Sequence, residues 1–225
     1  MKRNDTAIIL GFSGLTGSFL RTILNRDGIY SKIVLLGRTK PQTLEAREVF
    51  VALDEMYAEG FSNRFERADV FCLFGTTINK AGSREEFYRI DVGIPLSLAG
   101  IFSQKQGSRF FFQSSLGADP DTGNFYLRVK GETEKKLREM NFFQLVVLIP
   151  SLLIGERKEL RFGEKLMHLI LPLFSFMLIG KLKKYRAVNA RAVATVMAEL
   201  AKEEKEGTFV VENDEIMSIY NDLSK

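Results

Sequence analysis

Cysteine and histidine are almost missing from the 225 residues: one Cys72 and one His168. A lone cysteine cannot close an internal disulfide, and the two residues together cannot supply a zinc ligand set of the usual spacings. A reducing compartment and no structural metal are expected. There is no internal repeat, no low-complexity tract and no linker rich in Pro, Gly or Ser, so one domain over residues 1–225 is the default. Large charge excess is also absent. A net +4 and a pI near 9.1 favour anionic ligands but are too small to imply nucleic acid without a clustered patch. The one short cluster, Lys181, Lys183, Lys184 and Arg186, reads as a solvated helix exit. The longest apolar stretch, Leu166–Gly180, is interrupted by Pro172 and falls short of the roughly 20 residues a spanning helix needs. It reads as core or as a lid over an apolar substrate, with a membrane-surface contact beside the basic cluster as the alternative. Met1-Lys2-Arg3 runs through Asn4 and Asp5 into a short apolar segment, a strand rather than a signal peptide, which makes a cytoplasmic location the expectation.

What the chain does contain is an alternation of strand-length apolar runs with helical stretches. Strands are predicted over Thr6–Leu10, Lys32–Leu36, Glu48–Leu53, Val70–Phe74, Arg109–Gln113 and Gln144–Ile149, with helices over Leu15–Leu24, Arg84–Phe102 and Phe125–Met140. Continuously apolar strands separated by helices predict an α/β fold, a doubly wound parallel sheet of the Rossmann type that binds its ligand along the strands' C-terminal edge. Beyond Ile149 the pattern becomes mixed, and residues 150–225 are expected to contribute a small substrate-side lobe.

The first strand runs into Gly11-Phe12-Ser13-Gly14-Leu15-Thr16-Gly17. Gly11 permits a tight turn, Gly14 lets backbone approach a pyrophosphate, and Gly17 lets the helix lie close to the sheet, while the helix N-terminus offers free N–H groups to an anion. Ser13 and Thr16 add hydroxyl donors. The spacing G-x-x-G-x-x-G departs from the usual dinucleotide form, and a plain strand-to-helix turn is the alternative. The second strand ends in Gly37-Arg38 where an NAD-binding fold would place a carboxylate on the ribose 2′-hydroxyl; a guanidinium there favours a 2′-phosphate, hence NADP, over an ordinary surface arginine. Asp54 is a candidate acceptor for the adenine amino group, or a cap of the next helix.

Tyr126 and Lys130 lie four apart on a predicted helix and share one face. They follow a strand that ends in Ser114-Ser115. Carbonyl reduction needs a proton donor; a tyrosine serves when a nearby cation lowers its affinity for the proton, and Lys130 is placed to do so. Ser115, or Ser114, would polarise the substrate oxygen. His168 has no acidic neighbour in sequence and receives no catalytic role, and Cys72, inside a predicted strand, reads as a small buried hydrophobe.

Taken together, Gly11-x-x-Gly14-x-x-Gly17, Gly37-Arg38, Phe74-Gly75-Thr76-Thr77, Lys80-Ala81-Gly82, Ser114-Ser115-Leu116-Gly117-Ala118-Asp119 and Tyr126-Leu127-Arg128-Val129-Lys130-Gly131-Glu132 resemble the short-chain dehydrogenase/reductases, in an atypical branch. The resemblance runs from the first strand to about Glu164. It implies an NADP(H)-binding oxidoreductase with Tyr126 and Lys130 in the catalytic positions and Phe74, Gly75 and Thr76, with Leu15, at the cofactor, Gly75 near the nicotinamide ribose. One departure stands out: the Arg-Pro that follows the sixth strand in this branch is Ile149-Pro150 here, leaving Arg157 or Arg161 to replace that arginine. The substrate class expected is a small carbonyl compound. Because this branch is associated with regulatory binding as well as reduction, an NADP(H)-dependent interaction module remains the competing reading, and an epimerase a third.

Overall fold

A computed structural model describes residues 4–65, 67–155 and 185–225 of the chain. Its centre is a parallel sheet of seven strands in the order β3-β2-β1-β4-β5-β6-β9: β1 (Thr6–Leu10), β2 (Lys32–Gly37), β3 (Glu48–Ala52), β4 (Asp69–Cys72), β5 (Arg109–Gln113), β6 (Gln144–Ile149) and β9 (Gly207–Glu212). The doubly wound α/β architecture expected from the alternation of elements is the one observed. Strands β7 (Leu153–Ile154) and β8 (Val188–Asn189) pair as a small parallel ribbon beside it.

Side chains on a strand alternate between faces, and two cores result. Ile9, Leu35, Phe71, Phe111 and Val146 pack with Leu20 and Leu24 of helix α1 (Leu15–Asp27) and with Val193 and Met197 of α6 (Ala190–Leu200). On the other face Ile8, Val34, Val70, Phe110 and Val147 meet Ile94, Leu98 and Phe102 of α4 (Ile94–Ser103) and Leu137 of α5 (Phe125–Arg138). A strand buried on both faces has no polar alternation to show, which is why these runs read as continuously apolar.

The elements depart from expectation at several points. The helix predicted over Arg84–Phe102 is divided. A short α2 (Ile78–Ala81), capped by the Thr77 side chain, precedes α3 (Arg84–Tyr88), capped by Ser83. A wide π-turn over Arg89–Gly93 then leads into α4. The fourth strand is displaced by a residue or two, and the seventh, β9, has no predicted counterpart. Of the segment expected to form a substrate-side lobe, Pro150, Ser151, Leu152, Leu153 and Tyr185 reach the ligand edge of the sheet; α6, β9 and α7 (Asn213–Leu223) continue the main layers instead. The apolar stretch Leu166–Gly180 with His168, the lysines 181, 183 and 184, and Arg157 and Arg161 lie outside the described residues. None of the described helices is long and apolar enough to cross a membrane.

Candidate active site

Strand order reverses between β1 and β4, whose following connections leave toward opposite faces of the sheet, and a crevice opens at the C-terminal ends of such strands. The glycine turn fills its floor. Gly11 has φ +93°, a region L side chains rarely adopt, and a Cβ there would stand 2.8 Å from the Leu73 carbonyl carbon. The turn is closed by Gly14 N–H donating to the Gly11 carbonyl at 2.9 Å. At Gly17 a Cβ would meet that same carbonyl oxygen at 2.1 Å, so the first turn of α1 lies against the loop only because no side chain intervenes. Gly14 caps α1 without a side-chain hydrogen bond, and no acidic residue occupies the first turn. The N–H groups of the helix start are therefore open to an anion, and the macrodipole favours one.

Two cavities flank this turn and share Phe74 as a wall. The first, about 860 Å³, lies at the ends of β1 and β2 and is lined by Gly11, Ser13, Gly37 and Arg38, with Arg21, Arg26 and Lys40 around it. Arg21 is committed to Glu48, donating to its two carboxylate oxygens at 2.7 and 2.6 Å. Arg38 is exposed and makes no ion pair among the described residues.

The second cavity, about 440 Å³, is lined by Gly14, Leu15 and Thr16 on one side and by Ser114, Ser115, Tyr126 and Lys130 on another, with Phe74, Gly75 and Thr76 between. Tyr126 lies in the first turn of α5, whose start is fixed by Asn124 accepting from Leu127 N–H at 3.2 Å, and its ring meets Phe87 edge-on at 6.2 Å. Lys130, one turn later, is buried, 3.1 Å from Asp91 Oδ1 and 5.4 Å from the Phe112 ring centre. Burial by itself would pull the ammonium's proton affinity down; Asp91 first, and Tyr126 after it, outweigh burial and hold it above the ordinary lysine value. The contact to Oδ1 is ionic and lies off hydrogen-bond alignment, whereas Oδ2 accepts from Thr76 N–H at 2.8 Å.

The two serines separate. Ser114 is buried and donates its hydroxyl to Glu134, whose other oxygen accepts from Arg138 at 3.0 Å. Ser115 is partly exposed, and its hydroxyl makes no hydrogen bond among the described residues. Of the sequence-derived candidates, Gly11, Ser13 and Arg38 thus come to the first cavity, Gly14, Leu15, Thr16, Gly75, Thr76, Ser115, Tyr126 and Lys130 to the second, and Phe74 to both. Gly17 acts behind the site through packing. Asp54 joins neither cavity: it is exposed in a 3-10 turn, and its carboxylate accepts the N–H of Glu55 at 3.1 Å, the local hydrogen bonding that aspartate favours at such starts. Cys72 is buried at the end of β4, and burial pushes its thiol up to about 12, which leaves it protonated and inert. Asp91 and Gln113 line the second cavity but are absent from the sequence-derived set. A single acid in the otherwise apolar register of Ile90-Asp91-Val92 was the available signal for the first; nothing marked the second.

A parallel sheet crossed at β1/β4 by a glycine turn, with a Tyr-x-x-x-Lys helix closing the same edge, defines an atypical short-chain dehydrogenase/reductase. No family model matches the chain. Protein HTATIP2 (Tat-interacting protein) of Rattus norvegicus is 38% identical over 171 residues, covering 72% of this chain and 68% of its own. Mitochondrial protein FMP52 of Candida albicans is 32% identical over 159 residues, covering 68% and 69%. The chain belongs to the family of HTATIP2 and FMP52. Among solved structures, Bordetella bronchiseptica WbmG in complex with NAD superposes with a TM-score of 0.66 at 15% identity, covering 97% of this chain and 76% of that one; it carries the same fold. The expected cytoplasmic location does not stand, because the fungal relatives are mitochondrial proteins by name. A lone cysteine does not separate one reducing compartment from another.

Proposed function

We propose that the chain is an NADPH-dependent oxidoreductase that reduces the carbonyl group of a small molecule. One observation carries the reading: Ser115, Tyr126 and Lys130 line a single cavity whose opposite wall is the glycine turn and the open start of α1. The glycine cradle, where a Cβ at Gly11 or Gly17 would collide with backbone, fits the close backbone approach that a pyrophosphate requires. Arg38, beside Lys40 in the adjoining cavity, supports a 2′-phosphate and thus NADP over NAD. A bound NADPH supplies the hydride. Tyr126 gives the proton to the oxygen that becomes the alcohol, and Ser115 donates a hydrogen bond to that oxygen as charge builds on it. Lys130 stabilises the phenolate left behind until water returns the proton. Ser114, its proton already donated to Glu134, is unsuited to that donor role. Leu116, Pro150, Leu152 and Leu153 form an apolar wall that suits a substrate with a hydrophobic flank.

The test is NADPH oxidation against a panel of aldehydes and ketones for wild type and Tyr126→Phe. Loss of general-acid transfer lowers turnover by roughly 10²–10⁴-fold, so the variant should fall at least about 100-fold while still binding the nucleotide. Equal turnover in the two proteins would remove Tyr126 from the mechanism.

A further inference from the structure

Strand β5 ends on Gln113, and the alternation of side chains along the strand decides which way that residue faces. Phe112 lies on the side of α5, where its ring meets Lys130, and the Ser114 hydroxyl reaches Glu134 of the same helix. Gln113 shares the opposite face with Phe111, the face that α1 covers. Its register partner on β6 is Leu148, and Leu73 follows the paired Cys72 on the β4 side. Both leucines belong to the apolar packing on that face. An apolar side chain would fit there at no cost. Gln113 instead lines the second cavity with its Oε1 buried and without a hydrogen-bond partner among the described residues. A buried acceptor in that state is costly until a donor meets it.

The donors along the cavity wall are committed elsewhere. Leu116 N–H donates to the Pro150 carbonyl at 2.9 Å, and Ser151 N–H to Asn213 at 3.0 Å. The Ser151 hydroxyl is held by the Arg186 carbonyl, and Thr76 N–H by Asp91 at 2.8 Å. A donor for Gln113 therefore comes with a bound molecule, and the sheet face says which part of it. In the proposed reaction the substrate oxygen meets Ser115 and Tyr126 on the α5 side, while the nucleotide lies against the start of α1. Gln113, on the α1 face, falls to the nucleotide. The nicotinamide ring carries a primary carboxamide, whose N–H is the kind of donor that Oε1 lacks.

We propose that Gln113 is a nucleotide-binding residue whose side-chain carbonyl accepts a hydrogen bond from the carboxamide of the nicotinamide. The proposal rests on the NADPH reading of the site, and its test needs no turnover. Two oxidised nucleotides serve as probes: NADP+ and its 3-acetylpyridine analogue, in which a methyl ketone replaces the carboxamide and no N–H remains. Binding of each is measured by calorimetry for wild type and for Gln113→Met, a change that keeps the length of the side chain and removes the amide. Wild type should prefer NADP+ by roughly tenfold, the scale of a hydrogen bond whose loss leaves one partner unpaired. In Gln113→Met that preference should shrink to within about twofold, through weaker binding of NADP+. The free protein gives a second readout: with a buried unpaired acceptor gone, the urea midpoint of Gln113→Met should hold or rise. A lower midpoint, or a variant that does not fold, would show that the amide serves the fold itself and overturns the proposal. The same preference in both proteins, or none in wild type, overturns it as well and leaves the amide to water. Failure of wild type to bind NADP+ or NADPH at all is a separate result, which rejects the nucleotide reading of the whole site and this proposal with it.

Discussion

Arg38 shows what a single residue can carry. It follows β2, whose last residue, Gly37, must be small because a Cβ there would meet the Phe12 ring at 2.7 Å, and it stands in the lining of the first cavity. A charge-assisted hydrogen bond contributes about 1.5–3 kcal/mol, so Arg38→Ala should weaken NADPH binding roughly tenfold to a hundredfold and leave NADH binding nearly unchanged, read by fluorescence titration with both nucleotides. Equal weakening of the two would reject a phosphate-reading role. At this scale the sequence was most informative where backbone geometry dictates residue type. Gly11 and Gly17 are legible because any side chain would collide with the main chain. Asp91 was not, because its role depends on a lysine 39 positions away that only the packing of the π-turn against α5 brings near. Asp54 lines neither cavity and accepts the Glu55 N–H, because an aspartate after a strand satisfies local backbone donors as readily as a ligand.

Elements were legible in proportion to their burial. The strands β1, β5 and β6 stand where the apolar runs place them, since both of their faces are covered. β9 was missed because it is an edge strand whose apolar run is only Phe209-Val210-Val211, with Val211 alone buried. The divided helix before α4 was missed because Pro95 and the side-chain caps Thr77 and Ser83 act locally, while the apolar periodicity around them is averaged over many residues. The α1–β3 contact makes a prediction of its own. Glu48, buried at the start of β3, accepts from Arg21, from Asn25 at 2.6 Å and from the Glu45 N–H at 2.9 Å. Burial alone would raise its proton affinity; Arg21 and the other donors outweigh it and hold the carboxyl below the ordinary 4.5. A depressed carboxylate contributes stability that is complete above about pH 4.5 and disappears as pH falls through its folded-state value. Urea unfolding followed from pH 6 to pH 3 should therefore show wild type losing an advantage over Glu48→Gln of about 1–3 kcal/mol. A gap that stays constant with pH would mean that the charge of Glu48 contributes nothing.

Across the whole molecule the two edges of the sheet are built for opposite purposes. The C-terminal edge is open, with glycines, cavities and an exposed arginine. The N-terminal edge is sealed by a buried polar cluster in which Asp69 of β4 accepts from Arg109 of β5 at 2.7 Å, from Asn4 at 2.8 Å and from the Tyr30 hydroxyl. Arg109, 1% exposed, donates further to Gln144 of β6 at 3.2 Å and to the carbonyls of Ala201 and Glu203 beyond α6 at 2.8 and 2.9 Å. One ion pair thus ties the chain start, three adjacent strands and the C-terminal layer. Removing a single partner leaves a buried charge without compensation, a loss of about 3–5 kcal/mol, whereas replacing both with apolar groups is far milder. Asp69→Asn should accordingly lower the urea midpoint sharply, and the double variant Asp69→Leu with Arg109→Met should recover much of the difference. Since the cluster lies at the far end of the strands from both cavities, nucleotide affinity measured below the unfolding transition should stay within about twofold of wild type, a difference under half a kcal/mol. A larger change in affinity than in stability would show that the sealed edge communicates with the open one, and the division of labour between them would have to be abandoned.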